Sequence, residues 1–167
     1  MALSSKLVAQ VVATQINDLD LADGSVPLNY AQRLVLTSGT GANQADLIFH
    51  DQRTIAASDN EDLDLAGTLV DAFGATLTFA RIKAVLFAAA AGNTNNVQVT
   101  RPATLGVPLF LAASDGIAVR PGGVFMWAAT DATGVAVTAG TADLINVANS
   151  GSGTTVTYDV VIVGASA

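Results

Sequence analysis

The last third of the chain is divided into short apolar runs by turn-forming segments at regular intervals. The turns fall at residues 121–123, 131–134, 139–142 and 150–153. Between and after them, strands are predicted at residues 116–120, 124–128, 135–138, 143–149 and 154–163. Turns every 8–12 residues between such runs are typical of antiparallel sandwiches and barrels. The spacing predicts an all-β protein, and we expect a jelly-roll-like antiparallel β-sandwich with at most one short helix.

The charged residues favour the same fold class. Thirteen aspartates and one glutamate oppose five arginines and two lysines, which gives a net charge of −7. Glutamate and lysine are the usual residues of an exposed helix face, and they are scarce here. The length of 167 residues suits one domain, or one domain with an arm. We therefore assign residues 1–30 to an N-terminal arm or edge strand and residues 31–167 to a single β-sandwich domain.

The first half of the chain gives weaker strand signals, at residues 7–14, 33–37, 45–49 and 63–65. Residues 71–91 fit two patterns, because Leu77 and Phe79 alternate with threonines while Phe73, Leu77 and Ala84 also fit a helical stripe. We expect a turn or short helix near Phe73, followed by a strand from Ile82 to Ala90.

One pentapeptide, Asp-Leu-Asp-Leu-Ala, occurs twice, at residues 18–22 and 62–66. Successive side chains of a strand point to opposite faces of the sheet. The repeat therefore predicts two strands, each with its leucines inward and its aspartates outward.

The densest acidic cluster consists of Asp59, Glu61, Asp62 and Asp64. Calcium prefers six to eight oxygen ligands, but the spaced pattern of a calcium loop is missing. A solvated loop entering a strand is favoured, and cation binding stays open. Carboxylates two residues apart on one strand share a face and do not flank a substrate as a glycosidase pair does.

Three other features invite a catalytic or binding interpretation. His50 and Asp51 lack a matching nucleophile, since the chain has no cysteine and no G-x-S-x-G elbow. Residues 38–43 lack the lysine of a phosphate loop. Phe125 and Trp127 share one face of a strand and Met126 takes the other, so core packing is favoured over sugar stacking or a subunit contact. We predict no catalytic, cofactor-binding or metal-binding residue, and no enzyme activity.

Charge and hydropathy also restrict the partners. The negative charge argues against nucleic acid, which is bound by neutralising phosphates, and against an anionic membrane surface. The first twelve residues do not form a secretory signal, and no run approaches the ~20 apolar residues that cross a bilayer. We expect a soluble protein that binds neither nucleic acid nor membrane and needs no cofactor.

Five short segments of the sequence resemble small virion structural proteins of tailed bacteriophages. They lie at residues 62–67, 79–84, 92–96, 120–123 and 157–161. The resemblance covers about half of the chain, while residues 1–60 lie outside it. The similar proteins are β-sandwiches that decorate or cement a capsid, or otherwise accompany its major shell protein.

The resemblance implies a non-enzymatic protein on the outer surface of the capsid, assembled in the bacterial host cytoplasm. Its expected partners are the major capsid protein and further copies of itself, preferably in a trimer. The N-terminal arm is expected to contact the shell. The alternative is a binding module of the tail or fibre that recognises a host glycan or surface protein through residues 92–96 and 150–153.

Overall fold

The computed structural model describes residues 2–167, which run through eleven strands. The first two, β1 (Ser5–Asn17) and β2 (Gly24–Leu36), pair antiparallel along their whole length and form a separate two-stranded sheet. We call this hairpin the arm. The predicted arm at residues 1–30 overlaps the hairpin from Ser5 onward, residue 1 lies outside the described residues, and β2 continues to Leu36.

The remaining strands form the body. They are β3 (Leu47–Ile55), β4 (Asn60–Asp64), β5 (Arg81–Ala89), β6 (Val97–Thr100), β7 (Gly116–Val119), β8 (Val124–Ala128), β9 (Val135–Ala136), β10 (Leu144–Asn149) and β11 (Val156–Ala165). One sheet, here the arm-side sheet, has the order β3-β11-β5-β8, with β9 also paired to β5. The other, the far sheet, has the order β4-β10-β6-β7. Every pairing is antiparallel.

Alternating side chains of the two sheets meet in one buried core. The arm-side sheet contributes Val85, Phe87, Tyr158, Val160 and Ile162, and the far sheet contributes Leu63, Val97, Val99, Ile145 and Val147, with Leu65 added directly after the end of β4. The rings of Phe87 and Tyr158 stack with centroids 6.2 Å apart. Burial of these apolar faces is what holds the two sheets together.

A β-bulge interrupts the pairing of the two central strands of the arm-side sheet. Ala84 pairs with Val163, but the next pair joins Ile82 to Gly164, so Lys83 is the extra residue on β5. A Cβ at Gly164 would lie 2.2 Å from the carbonyl oxygen of Arg81, so glycine is required at this position. The bulge lets Ile82 and Val85 both face the core, although they are three residues apart.

The all-β sandwich is confirmed. In the last third the strands form between the predicted turns, although β9 is shorter than residues 135–138. Residues 71–74 form a turn in which the Asp71 carboxylate accepts hydrogen bonds from the Phe73 and Ala75 amides. No helix occurs anywhere from residue 2 to residue 167.

The prediction for the repeated pentapeptide is right at one copy and wrong at the other. At residues 62–66, Leu63 and Leu65 are fully buried in the core. At residues 18–22 the same five amino acids form the bend at the tip of the arm, where Leu19 and Leu21 are exposed. The second copy meets an opposing sheet and the first does not, so tertiary context decides the conformation.

Two strands were not recognised from the sequence, β6 and most of β2. β6 is short, and it follows a polar loop that hides its alternation. In β2, Val26, Leu28 and Tyr30 alternate with polar or proline residues. That period-2 signal was available, and the proline obscured it, because proline is disfavoured in strands.

The two copies of the pentapeptide provide a matched test of the core. Leu63→Ala removes a fully buried side chain and should lower the free energy of unfolding by about 2–5 kcal/mol. Leu19→Ala, the same change in the same local sequence, should alter it by less than about 0.5 kcal/mol. Urea denaturation of both variants measures the difference. Equal effects would show that the body core is not built around Leu63.

Candidate assembly surface

The arm is the largest exposed feature of the molecule. Each strand has 13 residues, which corresponds to roughly 40 Å of extended chain. Every residue from Val8 to Arg33 is exposed except Gly24. Two-stranded hairpins are marginally stable at best in water, so a ribbon of this length needs support from something it packs against.

One face of the arm is largely apolar. Directly paired residues of antiparallel strands share a face. The pairs on this apolar face include Leu7–Leu34, Val11–Tyr30, Ala13–Leu28 and Gln15–Val26. The opposite, mixed face carries the pairs Lys6–Val35, Val8–Arg33, Val12–Asn29 and Ile16–Ser25. The arm therefore presents a nearly continuous apolar stripe to its surroundings.

The base of the arm is anchored on the body. Leu36 is 1% exposed and forms a small buried cluster with Ala45, Ala84 and Val163. Leu7 of the apolar face packs against this cluster. The stripe that is exposed further out is thus the continuation of a surface that is already buried at the base.

Lys83, the bulge residue, fastens the segment that joins the arm to the body. Its side chain is buried, and Nζ donates hydrogen bonds to the backbone carbonyls of Gly41 (3.4 Å) and Asp131. The Asn43 amide also donates to the carbonyl of Thr130, at 2.7 Å. Burial lowers the pKa of Lys83, because the charged form loses its hydration. These bonds fix residues 38–44 against the turn at residues 129–134.

An open groove of about 250 Å³ lies between the arm base and the outer face of the arm-side sheet. Its floor includes Leu86, Met126 and Val161, and its arm-side wall includes Lys6 and Val8. Apolar grooves with a few polar groups at their rims are where proteins commonly bind other molecules.

The two loops predicted to recognise a host molecule lie together at the end of the sandwich opposite the arm base. Residues 92–96 and 150–153 follow the ends of β5 and β10 farthest from the arm base. The hydroxyls of Thr94 and Thr154 share a hydrogen bond of 2.5 Å, and the Asn96 amide donates to Ser150 Oγ at 2.9 Å. The structure brings these two loops into one polar surface.

The carboxylates of the acidic cluster accept hydrogen bonds from other groups of the protein. Asp59 accepts from the Asn60 amide, Asp62 from the Asn146 side chain, and Asp64 from the Ala66 amide. Glu61 turns toward the other sheet. Among residues 2–167, no group of three or more histidine, aspartate or glutamate side chains is placed to hold a metal ion.

Glu61, the chain's one glutamate, links the far sheet to the arm-side sheet. Its carboxylate accepts hydrogen bonds from Arg53 Nε at 2.7 Å and from the Tyr158 hydroxyl at 3.0 Å. The bond with Glu61 raises the pKa of Arg53, while burial and then the negative Glu61 raise the pKa of Tyr158 well above its usual range. Arg53 also pairs with the more exposed Asp51, at 3.1 Å.

The other residues considered as catalytic or phosphate-binding candidates do not assemble into a site. His50 lies within β3 and is paired with Val161, so it and its neighbour Asp51 point to opposite faces. Asp51 binds Arg53 rather than the histidine. In the 38–43 turn, the Gly41 amide donates to the Gln44 side chain at 2.9 Å. His50 and Asp51 therefore lack the nucleophile and base contact of a catalytic triad.

Phe125 and Trp127 lie half-buried against the main core, and Phe125 stacks on Phe110 with ring centroids 5.9 Å apart. Met126 faces the other side and lines the groove. The strand alternation predicted from the sequence is therefore present. It places the two aromatic residues in packing contacts.

Helices of a length and apolarity sufficient to span a membrane are absent from residues 2–167. Comparison of the chain with protein-family models, with curated proteins and with solved structures finds no match.

Glu61 and Asp51 both bind Arg53, and the two carboxylates should differ in how much they stabilise the protein. Glu61→Ala leaves the Arg53 guanidinium and the buried Tyr158 hydroxyl without their acceptor, so we expect a loss of about 1–3 kcal/mol in the free energy of unfolding. Asp51→Ala removes a more exposed partner and should cost less than about 1 kcal/mol. Chemical denaturation at neutral pH compares them. A larger loss for Asp51→Ala would contradict this assignment.

Proposed function

We propose that this protein is a non-enzymatic structural component of a bacteriophage particle that decorates or cements the capsid by bridging subunits of the major capsid protein. The observation that supports this most is the arm. It is an attachment element about 40 Å long whose exposed apolar face is covered by nothing in residues 2–167.

The form of the arm suits binding to a neighbouring subunit. Both of its strands have an outer edge on which backbone groups can pair with another strand, which is how β-augmentation works. Val11, Leu28 and Tyr30 would be covered in the same contact. Burying that face would stabilise both the arm and the neighbouring subunit, as a cement protein must do.

The strand order supports a jelly-roll arrangement. If the arm and the short β9 are set aside, eight strands remain, and they form two four-stranded antiparallel sheets. Numbered along the chain, their orders are 1-8-3-6 and 2-7-4-5, in which most connections cross from one sheet to the other. Jelly rolls occur in viral capsid and lectin domains, so this arrangement is compatible with both functions considered for the chain. Fold alone does not choose between them.

The charge favours a location outside the shell. The protein carries −7, and a protein facing packaged DNA would have to neutralise phosphates. Particles built on symmetry favour symmetric oligomers of the proteins that bind them, and a trimer is the proposed state.

The second candidate function, recognition of a host glycan or surface protein, has one specific observation in its favour. Residues 92–96 and 150–153 form a joint polar surface at the end opposite the arm. An attachment arm at one end and a recognition surface at the other would suit a tail or fibre module.

Two variants and two binding assays separate the candidates. In the short-arm variant, residues 8–33 are removed and Leu7 is joined to Leu34 by Asn-Gly, the preferred sequence of a two-residue hairpin turn. This keeps Leu7, Leu34 and the buried Leu36. In the loop variant, the exposed Thr94 and Ser152 become lysine. Each is mixed with shells assembled from the major capsid protein of the same virus, and separately with host cells.

The proposal predicts that the short-arm variant no longer sediments with shells, while the loop variant sediments as wild type does. Electron microscopy of shells with and without the protein should show added density on their outer surface. Shell binding by a folded short-arm variant would overturn the role of the arm. Host-cell binding that the loop variant loses and the short-arm variant keeps would favour the second candidate.

A further inference from the structure

The tip of the arm carries two exposed leucines. Residues 18–23 form the bend between β1 and β2, and Leu21 is 101% exposed there. Leu19 is also exposed, and its Cδ1 lies toward Gly24, which leaves Leu21 as the outermost apolar group. Single exposed leucines are normal, whereas two on one tip form a small apolar patch that a partner can cover.

The groove at the base of the arm has the size and chemistry to take such a leucine. An apolar cavity of about 150 Å³ can hold a benzene ring, and this groove measures about 250 Å³. Its floor of Leu86, Met126 and Val161 is apolar. A leucine side chain that enters it leaves water without losing any hydrogen bond.

The charges around the two sites are opposite in sign. The tip carries Asp18, Asp20 and Asp23. The arm base carries its two cations, Lys6 in the wall of the groove and Arg33 paired across from Val8, which also lines the groove. Tip and groove therefore match in size, hydropathy and charge.

We propose that the arm tip of one copy of this chain seats in the groove at the arm base of a second copy, with Leu21 in the groove and the tip aspartates beside Lys6 and Arg33. A tip cannot reach its own groove, because the paired ribbon holds the two roughly 40 Å apart. Two arms lying side by side in opposite directions bring each tip to the other's base. Head-to-tail closure into a ring, such as a trimer, satisfies the same contact.

This contact links copies of the protein to one another, and it is tested in solution without any capsid. Its failure is therefore distinguishable from failure of the proposed function. Sedimentation velocity over a range of concentrations measures association of the wild-type chain. Leu21→Ser should weaken association about tenfold or more, since a buried leucine becomes polar. Leu111→Ser makes the same change at a leucine that is 100% exposed on the body, and it should have no effect.

A charge exchange tests the specific pairing. Lys6→Asp with Arg33→Asp should weaken association by a factor that shrinks as salt is added. Combining it with Asp18→Lys and Asp20→Lys should restore association toward the wild-type level. A wild-type chain that stays monomeric, equal effects of Leu21→Ser and Leu111→Ser, or no rescue by the exchanged charges would each overturn the proposal. A dimer or a closed ring that Leu21→Ser dissociates supports it.

Discussion

A β-sheet is stable in water when at least one of its faces is removed from solvent, and a two-stranded sheet has too little width to achieve this alone. The body meets the requirement by packing the arm-side sheet on the far sheet, with Phe87, Tyr158 and Ile162 between them. The arm meets it at its base, around Leu36. We therefore expect the exposed remainder of the arm to be the part of the molecule whose order depends on a partner.

The body is built to hold the arm firmly. Burying the Lys83 amine is costly unless it is hydrogen-bonded, and here Nζ donates to two backbone carbonyls, one in each of the segments beside the arm base. The bulge that admits Lys83 also requires Gly164 on the neighbouring strand. A rigid base means that forces or contacts on the arm are transmitted to the sandwich. That property suits a protein that joins others in an assembly.

The sequence was sufficient for the body where turn chemistry and alternation agreed, as in β8, β10 and β11. It was insufficient where the conformation depends on whether another sheet packs against the segment. The copy of the repeated pentapeptide that contains Leu63 lies buried against the other sheet, whereas the copy that contains Leu21 forms an exposed bend. The groove joins arm residues to strands distant in sequence, so periodicity does not reveal it. The length of the arm was detectable from the alternation in β2, whereas the buried Lys83 follows from a bulge that no local pattern marks.

Hydrogen exchange of the backbone amides tests the dependence of the arm on a partner most directly. In dilute protein, amides of β1 and β2 between Val11 and Tyr30 should exchange orders of magnitude faster than those of β5 and β11, because their hydrogen bonds are exposed and open locally. At concentrations or in particles where the protein is assembled, exchange in the arm should slow while the body stays unchanged. Arm amides that are protected as strongly as the amides of β11 in dilute, monomeric protein would contradict the account.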